Sequence, residues 1–247
     1  MKKTLVICRR ELAGMFGGPL AWVLFAVFTL LTGYFFYSDL TFFVLFGGAN
    51  LPEGLWRFVF LDFRLVALLV TPLVTMRLLA EERKLGTLEL LWTFPLRDGE
   101  LLAGKLLAAL AVYLAMLATT LVGPLVLHAL HPFAWGPLVA GYTGLVLLGA
   151  AFLACGLAAS ALTENQVVSA MVTYGVLVFF WFVSWNEAAV SPTLAPALLA
   201  LSLFDRFYGF AQGVIDSRDV VYLLGLATVF LFFALRALGA RTWRGVG

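Results

Sequence analysis

Six stretches of the chain stay apolar long enough to cross a bilayer: 20–37, 55–79, 101–127, 138–162, 166–185 and 220–239. A spanning helix needs about 17 to 25 such residues, at about 1.5 Å each against a hydrocarbon core of about 30 Å. None of the six alternates polar and apolar positions as barrel strands do, and in lipid every backbone group must be satisfied within its own segment. The pattern predicts an all-α polytopic membrane protein with six transmembrane helices. Ahead of the first span, Leu5, Leu12, Met15 and Phe16 fall on one helical face while Lys2, Lys3, Arg9 and Arg10 lie largely off it. Residues 1–18 therefore read as an amphipathic helix along the membrane surface, turned into the first span by Gly17, Gly18 and Pro19. The apolar run that begins at Leu5 is cut short by Arg9, Arg10 and Glu11, so no cleavable signal peptide is expected. Between the last two spans, 186–219 carries an apolar, aromatic run at 197–211 that is too short and too interrupted to cross. An interfacial or re-entrant helix is expected there.

Composition supports lipid as the second solvent. Of 247 residues, 63% are hydrophobic and only 12% charged, with 23 Phe and 7 Trp, where soluble domains are about 45–50% apolar and about 25% charged. A net charge of +2 does not suggest a nucleic-acid partner, and Cys8 and Cys155 have neither metal-ligand spacing nor the context of a disulfide. The placement of charge says more than its sum. Twelve of the sixteen Lys and Arg fall in 1–18, 77–105 and 236–247, all on one side of a six-span chain, whereas the acidic residues divide evenly between the two sides. The positive-inside rule then puts both termini and the 77–105 loop in the cytoplasm. The whole chain, 1–247, reads as one transmembrane domain with no internal repeat.

The 77–105 loop is the most informative segment, although its charges would also suit a solvated connector that merely sets topology. Arg77 and Glu81 are four apart, so the second span is expected to continue beyond the membrane surface as a helix with an ion pair. Gly86 can end that helix, Thr87 can cap a short apolar one, and Asp98 can cap a third with Glu100 in its first turn. Helix, break, helix and break make a rigid protrusion suited to docking a partner.

These residues resemble the signature of type-2 ABC transporter permeases. The resemblance runs through Ala80, Glu81, Glu82 and Arg83, then Gly86, Thr87, Leu88, Glu89, Leu90 and Leu91, then Pro95, and closes on Gly104 and Lys105. The elbow helix, six spans and broken outer helix fit as well. Leu203 to Phe207 and Gly213 to Asp219 are most similar to the compact permeases of gliding-motility and nitrous-oxide-reductase-maturation transporters, and Arg97-Asp98 departs from the Ser or Thr of many relatives. The resemblance implies a non-catalytic inner-membrane permease subunit that acts as an exporter. It implies two ABC ATPase subunits, a second permease copy or a different membrane subunit, and room for an outer-side accessory protein. ATP and magnesium would sit on the ATPase, so no cofactor is expected in this chain. Contact with the ATPase would fall on Glu81, Glu82, Gly86, Thr87, Glu89, Pro95, Leu96, Arg97, Asp98, Gly104 and Lys105, with a short coupling helix between spans two and three.

Other patterns carry less. Gly99, Gly104 and Lys105 nearly spell a phosphate-binding loop, but Leu106 stands where Ser or Thr is required and no strand precedes it. His128 and His131 lack a third ligand nearby in sequence and suit an interfacial pair better than a metal site. Arg57, Asp62 and Arg64 lie inside the second span, where ionisable groups are costly; snorkelling and a polar pathway lining both remain open. Arg57 and Arg64 share a face, and Asp62 lies off it, so its partner is expected on another helix. In the fourth span, Ala150-x-x-x-Ala154 and Gly156-x-x-x-Ser160 favour close packing, within the chain or with a second copy. Two other function classes fit an apolar chain of this kind: an ion-coupled secondary transporter, against which the scarcity of mid-bilayer charge counts, and a mechanical transmitter that moves an outer-side partner without translocation.

Overall fold

The computed structural model describes residues 2–45, 54–87, 97–183, 199 and 201–239, and every element among them is α-helical. In chain order these are α1 (Lys2–Gly17), α2 (Pro19–Leu45), α3 (Gly54–Thr75), α4 (Ala80–Lys84), α5 (Asp98–Thr120), α6 (Val122–Leu130), α7 (Trp135–Leu162), α8 (Gln166–Phe182), α9 (Leu203–Ala211) and α10 (Ser217–Gly239). Five helical runs among the described residues are long and apolar enough to cross a membrane: Pro19–Leu45, Gly54–Lys84, Asp98–Leu130, Trp135–Leu162 and Ser217–Gly239. The remaining apolar helix, α8, has 17 residues, about 25 Å at 1.5 Å per residue. The predicted fifth span ran to residue 185; α8 ends at Phe182, and 184–198 lie outside the described residues. Asn165 starts α8, its side chain accepting the amides of Val167 at 2.9 Å and Val168 at 3.4 Å.

α7 is the central helix, packed on α3, α5, α8, α9 and α10. Every residue from 151 to 161 is buried, which is possible because the sequence keeps its contact face small. A Cβ on Gly149 would lie 2.1 Å from the Tyr113 ring, and one on Gly156 would lie 1.9 Å from Thr75 Oγ1. The close packing predicted from Gly156-x-x-x-Ser160 is thus made within the chain. α2 and α10 instead present Val27, Leu30, Val229 and Phe233 on the outer surface of the chain, the arrangement expected of helices whose solvent is lipid. One connected apolar core runs through the chain from Ile7 to Leu238.

Three predicted boundaries need correction. The first span was expected to end at residue 37, but α2 continues to Leu45: Ser38 and Asp39 interrupt the apolar pattern without stopping the helix, and apolar residues resume at once. The third span, expected unbroken over 101–127, is divided at Leu121 into α5 and α6. Pro124 has no N–H to return to the carbonyl four residues earlier, at Thr120, which is where α5 ends. The second span does not continue as one regular helix, because α3 stops at Thr75 and α4 begins at Ala80 after a turn over 76–79.

Candidate functional site

The turn between α3 and α4 is held by a residue far away in sequence. Ser160, fully buried near the end of α7, accepts the amides of Leu79 at 3.0 Å and Ala80 at 2.9 Å, and donates to the Met76 carbonyl at 3.3 Å. In a continuous helix those amides would turn to carbonyls four residues back; here one hydroxyl takes both, and α4 hangs from α7. The predicted ion pair spans the turn, with Arg77 Nε 3.2 Å from Glu81 Oε2. Gly86 ends α4 at φ +68°, in the left-handed region that glycine enters without steric cost, and its amide returns to the Arg83 carbonyl at 3.2 Å. The Thr87 hydroxyl donates back to the Glu82 carbonyl at 3.2 Å. The short helix that Thr87 was expected to cap lies in 88–96, outside the described residues, as do Glu89, Pro95 and Leu96.

On the far side of that segment the chain re-enters through α5. The cap is one residue earlier than predicted: Arg97, exposed and extended, occupies the capping position, Asp98 is the first helical residue, and Glu100 accepts the Arg97 amide at 3.2 Å. Gly99 and Gly104 both lie within α5, so the near phosphate-binding pattern has helical geometry rather than a strand-to-helix loop.

Gly104 and Lys105 bring the two sides of the loop together. Lys105 is 0% exposed. Its ammonium donates to Glu11 Oε1 of α1 and to Glu82 Oε1 of α4, each at 2.9 Å. A buried ammonium is tolerable only when closely paired, and truncating one partner of such a group costs about 3–5 kcal/mol. Gly104 admits α1: a Cβ there would lie 2.7 Å from Ile7 Cγ2 and 3.0 Å from the Thr4 carbonyl oxygen. α1 therefore does more than rest on a surface. Ile7 and Glu11 pack on α5, while Leu5, counted in its apolar face, is 71% exposed. A cleft of about 360 Å³ opens beside the trio, walled by Arg10, Met15, Arg77, Glu81, Leu85 and Thr87 as well as by the three ionic residues.

Sequence reasoning named Glu82 and Lys105 but missed Glu11, and it read Ser160 only as a small residue. A signal for Glu11 existed: Lys105 interrupts an apolar run at the head of a span and needs a counter-charge, and Glu11 is the acidic residue of an otherwise basic helix.

The charged residues of α3 gather at the opposite end of the bundle. Arg64 is 3% exposed. Its guanidinium carbon sits 4.3 Å from the ring centroids of both Trp181 and Phe204 and 5.4 Å from that of Phe207, and Nη1 donates to the Phe204 carbonyl at 3.4 Å. Arg57 stacks on Tyr208 of α9 at 4.7 Å. The two arginines thus share a face, as their spacing predicted, and that face receives α9. Arg64 is enclosed rather than extended to an interface. Asp62 lies within electrostatic reach of Arg64 and of Asp39 on α2. The described part of the expected 197–211 helix is α9, with Leu203, Phe207 and Phe210 buried against the bundle. It is tied to the start of α10 by Arg206 and Asp219 at 3.0 Å. His128 belongs to an aromatic cluster, its ring 4.5 Å from Trp135 and 4.9 Å from Phe133, with Nδ1 accepting the Phe133 amide at 3.4 Å.

No curated protein matches the sequence. The profile of the family described as ABC-2 family transporter protein matches residues 5–242, and with helices that cross a membrane several times and nearly its whole length accounted for, the chain belongs to that family.

Proposed function

We propose that this chain is the permease subunit of an ATP-driven exporter, coupled through its 77–105 loop to separate ATPase subunits that carry ATP and magnesium. The observation that carries this reading is the mounting of the loop. Before residues 88–96, α4 is hung from α7 by Ser160; after them, α5 is capped by Glu100; and Glu82 and Lys105 close the neck between. A segment gripped on both sides passes a push from a soluble partner into α3, α5 and α7 as a rigid displacement. In this reading the loop and both termini face the cytoplasm, the chain crosses the inner membrane six times with α8 as the fifth span, and two membrane subunits stand over two ATPases. Arg57, Asp62 and Arg64 then belong to the outer half of the pathway, closed by α9.

The test is a crosslink. With Cys8 and Cys155 replaced, Arg97→Cys is expected to crosslink to the ATPase in sealed vesicles, whereas Asp205→Cys, exposed on α9, is expected to remain outside its reach. The opposite result would overturn both the docking surface and the topology.

A further inference from the structure

We propose that Lys105, held at 2.9 Å by Glu11 of α1 and by Glu82 of α4, is the positioning residue that makes the elbow helix a moving part of the coupling machinery. This inference rests on the permease reading and extends it to a helix that would otherwise be a passive float. Three observations carry it. First, Lys105 joins three separate elements through one fully buried ammonium. An apolar cluster of similar volume would hold the helices at least as well; an ammonium between two carboxylates also fixes which residues meet and at what register.

Second, the contact beneath the trio is backbone-close. Gly104 brings α5 against Ile7 and the Thr4 carbonyl, so α1 cannot slide along α5 without breaking both packing and ion pair. Third, α1 is pinned at two places with a joint between α1 and α2. Its far end rests on α2, where the Phe16 carbonyl accepts from Trp22 Nε1 at 3.1 Å and the Phe16 ring lies 5.7 Å from Trp22. Gly17 and Gly18 follow, with room around them. A helix pivoted at one end and clasped in its middle is a lever. Displacement of the loop at Glu82 moves α1, and Leu5 and Val6, at 71% and 66% exposed, carry that motion to the membrane surface.

The experiment uses the complex purified from native membranes through a tag on this chain, with Cys8 and Cys155 replaced and pairs of spin labels introduced. One pair, at 5 and 97, reports α1 against the head of α5; the other, at 97 and 224, reports the loop against α10. Distances are measured without nucleotide and after trapping with ADP and vanadate. In the wild type, 97–224 is expected to change on trapping while 5–97 keeps one narrow distribution. In Glu11→Leu, which leaves Lys105 its Glu82 partner, 97–224 is expected to change as before, while 5–97 broadens and shifts. Reversing all three charges, by Glu11→Lys, Lys105→Glu and Glu82→Lys, is expected to restore the narrow distribution. A merely stabilising trio would alter yield or monodispersity and leave the motion of the folded fraction unchanged. An α1 that fails to follow the loop in the wild type, or that follows it equally in Glu11→Leu, overturns the proposal. Absence of any ATPase from the wild-type complex is a different result, and it refutes the permease reading together with this one.

Discussion

Ser160→Ala removes one oxygen atom and releases two buried amides. Leu79 and Ala80 are both 0% exposed and donate to Ser160 Oγ at 3.0 and 2.9 Å. A buried donor left without its acceptor costs about 1–3 kcal/mol, so the pair loses about 2–6 kcal/mol. The amides have one local alternative, the carbonyls of Thr75 and Met76 in a continuous helix, but Thr75 already accepts the Leu78 amide at 3.1 Å. Taking that alternative would straighten the turn and draw Glu82 away from Lys105. Hydrogen exchange resolves the outcome. Since about 1.4 kcal/mol corresponds to tenfold in an equilibrium constant, exchange over 76–84 is expected to accelerate by about thirtyfold or more, while α9, at the opposite end, keeps its protection. Ser160→Thr retains an acceptor oxygen and is expected to lose less. Exchange at Leu79 and Ala80 within about twofold of wild type in Ser160→Ala would refute the assignment of Ser160 as the hook for α4.

Gly104→Leu places side-chain atoms where Ile7 and the Thr4 carbonyl now sit, an overpacking expected to cost about 1–3 kcal/mol and to speed maleimide labelling of the partly buried Cys8 on α1. Gly149→Ala puts a methyl group 2.1 Å from the Tyr113 ring, threatening the Tyr113 hydroxyl bond to the Leu145 carbonyl at 3.0 Å; a similar cost is expected to lower the thermal midpoint in detergent. Arg64→Lys keeps the charge but loses the planar group stacked between Trp181 and Phe204. With a desolvated cation–π contact worth up to about 2 kcal/mol, exchange across α9 is expected to rise by more than tenfold.

Much of the architecture was legible because the signals behind it are local. A run of about twenty apolar residues meets lipid whatever its neighbours do, so α3, α7 and α10 lie close to where hydropathy put them. Gly86 ends α4 as predicted because a left-handed residue suits few other side chains. The shared face of Arg57 and Arg64 follows from helical spacing alone, and the ion pair of Arg77 and Glu81 forms at its predicted spacing although it spans the turn. Boundaries fared worse where a polar pair imitated an end, as at Ser38 and Asp39, or where a proline acted one turn upstream, as Pro124 does on Thr120.

By itself, then, the sequence determined that this is a helical membrane protein, where most of its helices run, and which loop resembles the signature of its family. Tertiary structure alone decided how that loop is mounted. Ser160 meets Leu79 across 81 residues and Glu11 meets Lys105 across 94, separations over which no periodicity survives. Apolar burial is non-directional and can be read from composition, whereas a hydrogen bond or a buried ion pair depends on atoms brought within about 3 Å of each other. Only the packing of α1, α4, α5 and α7 brings them there.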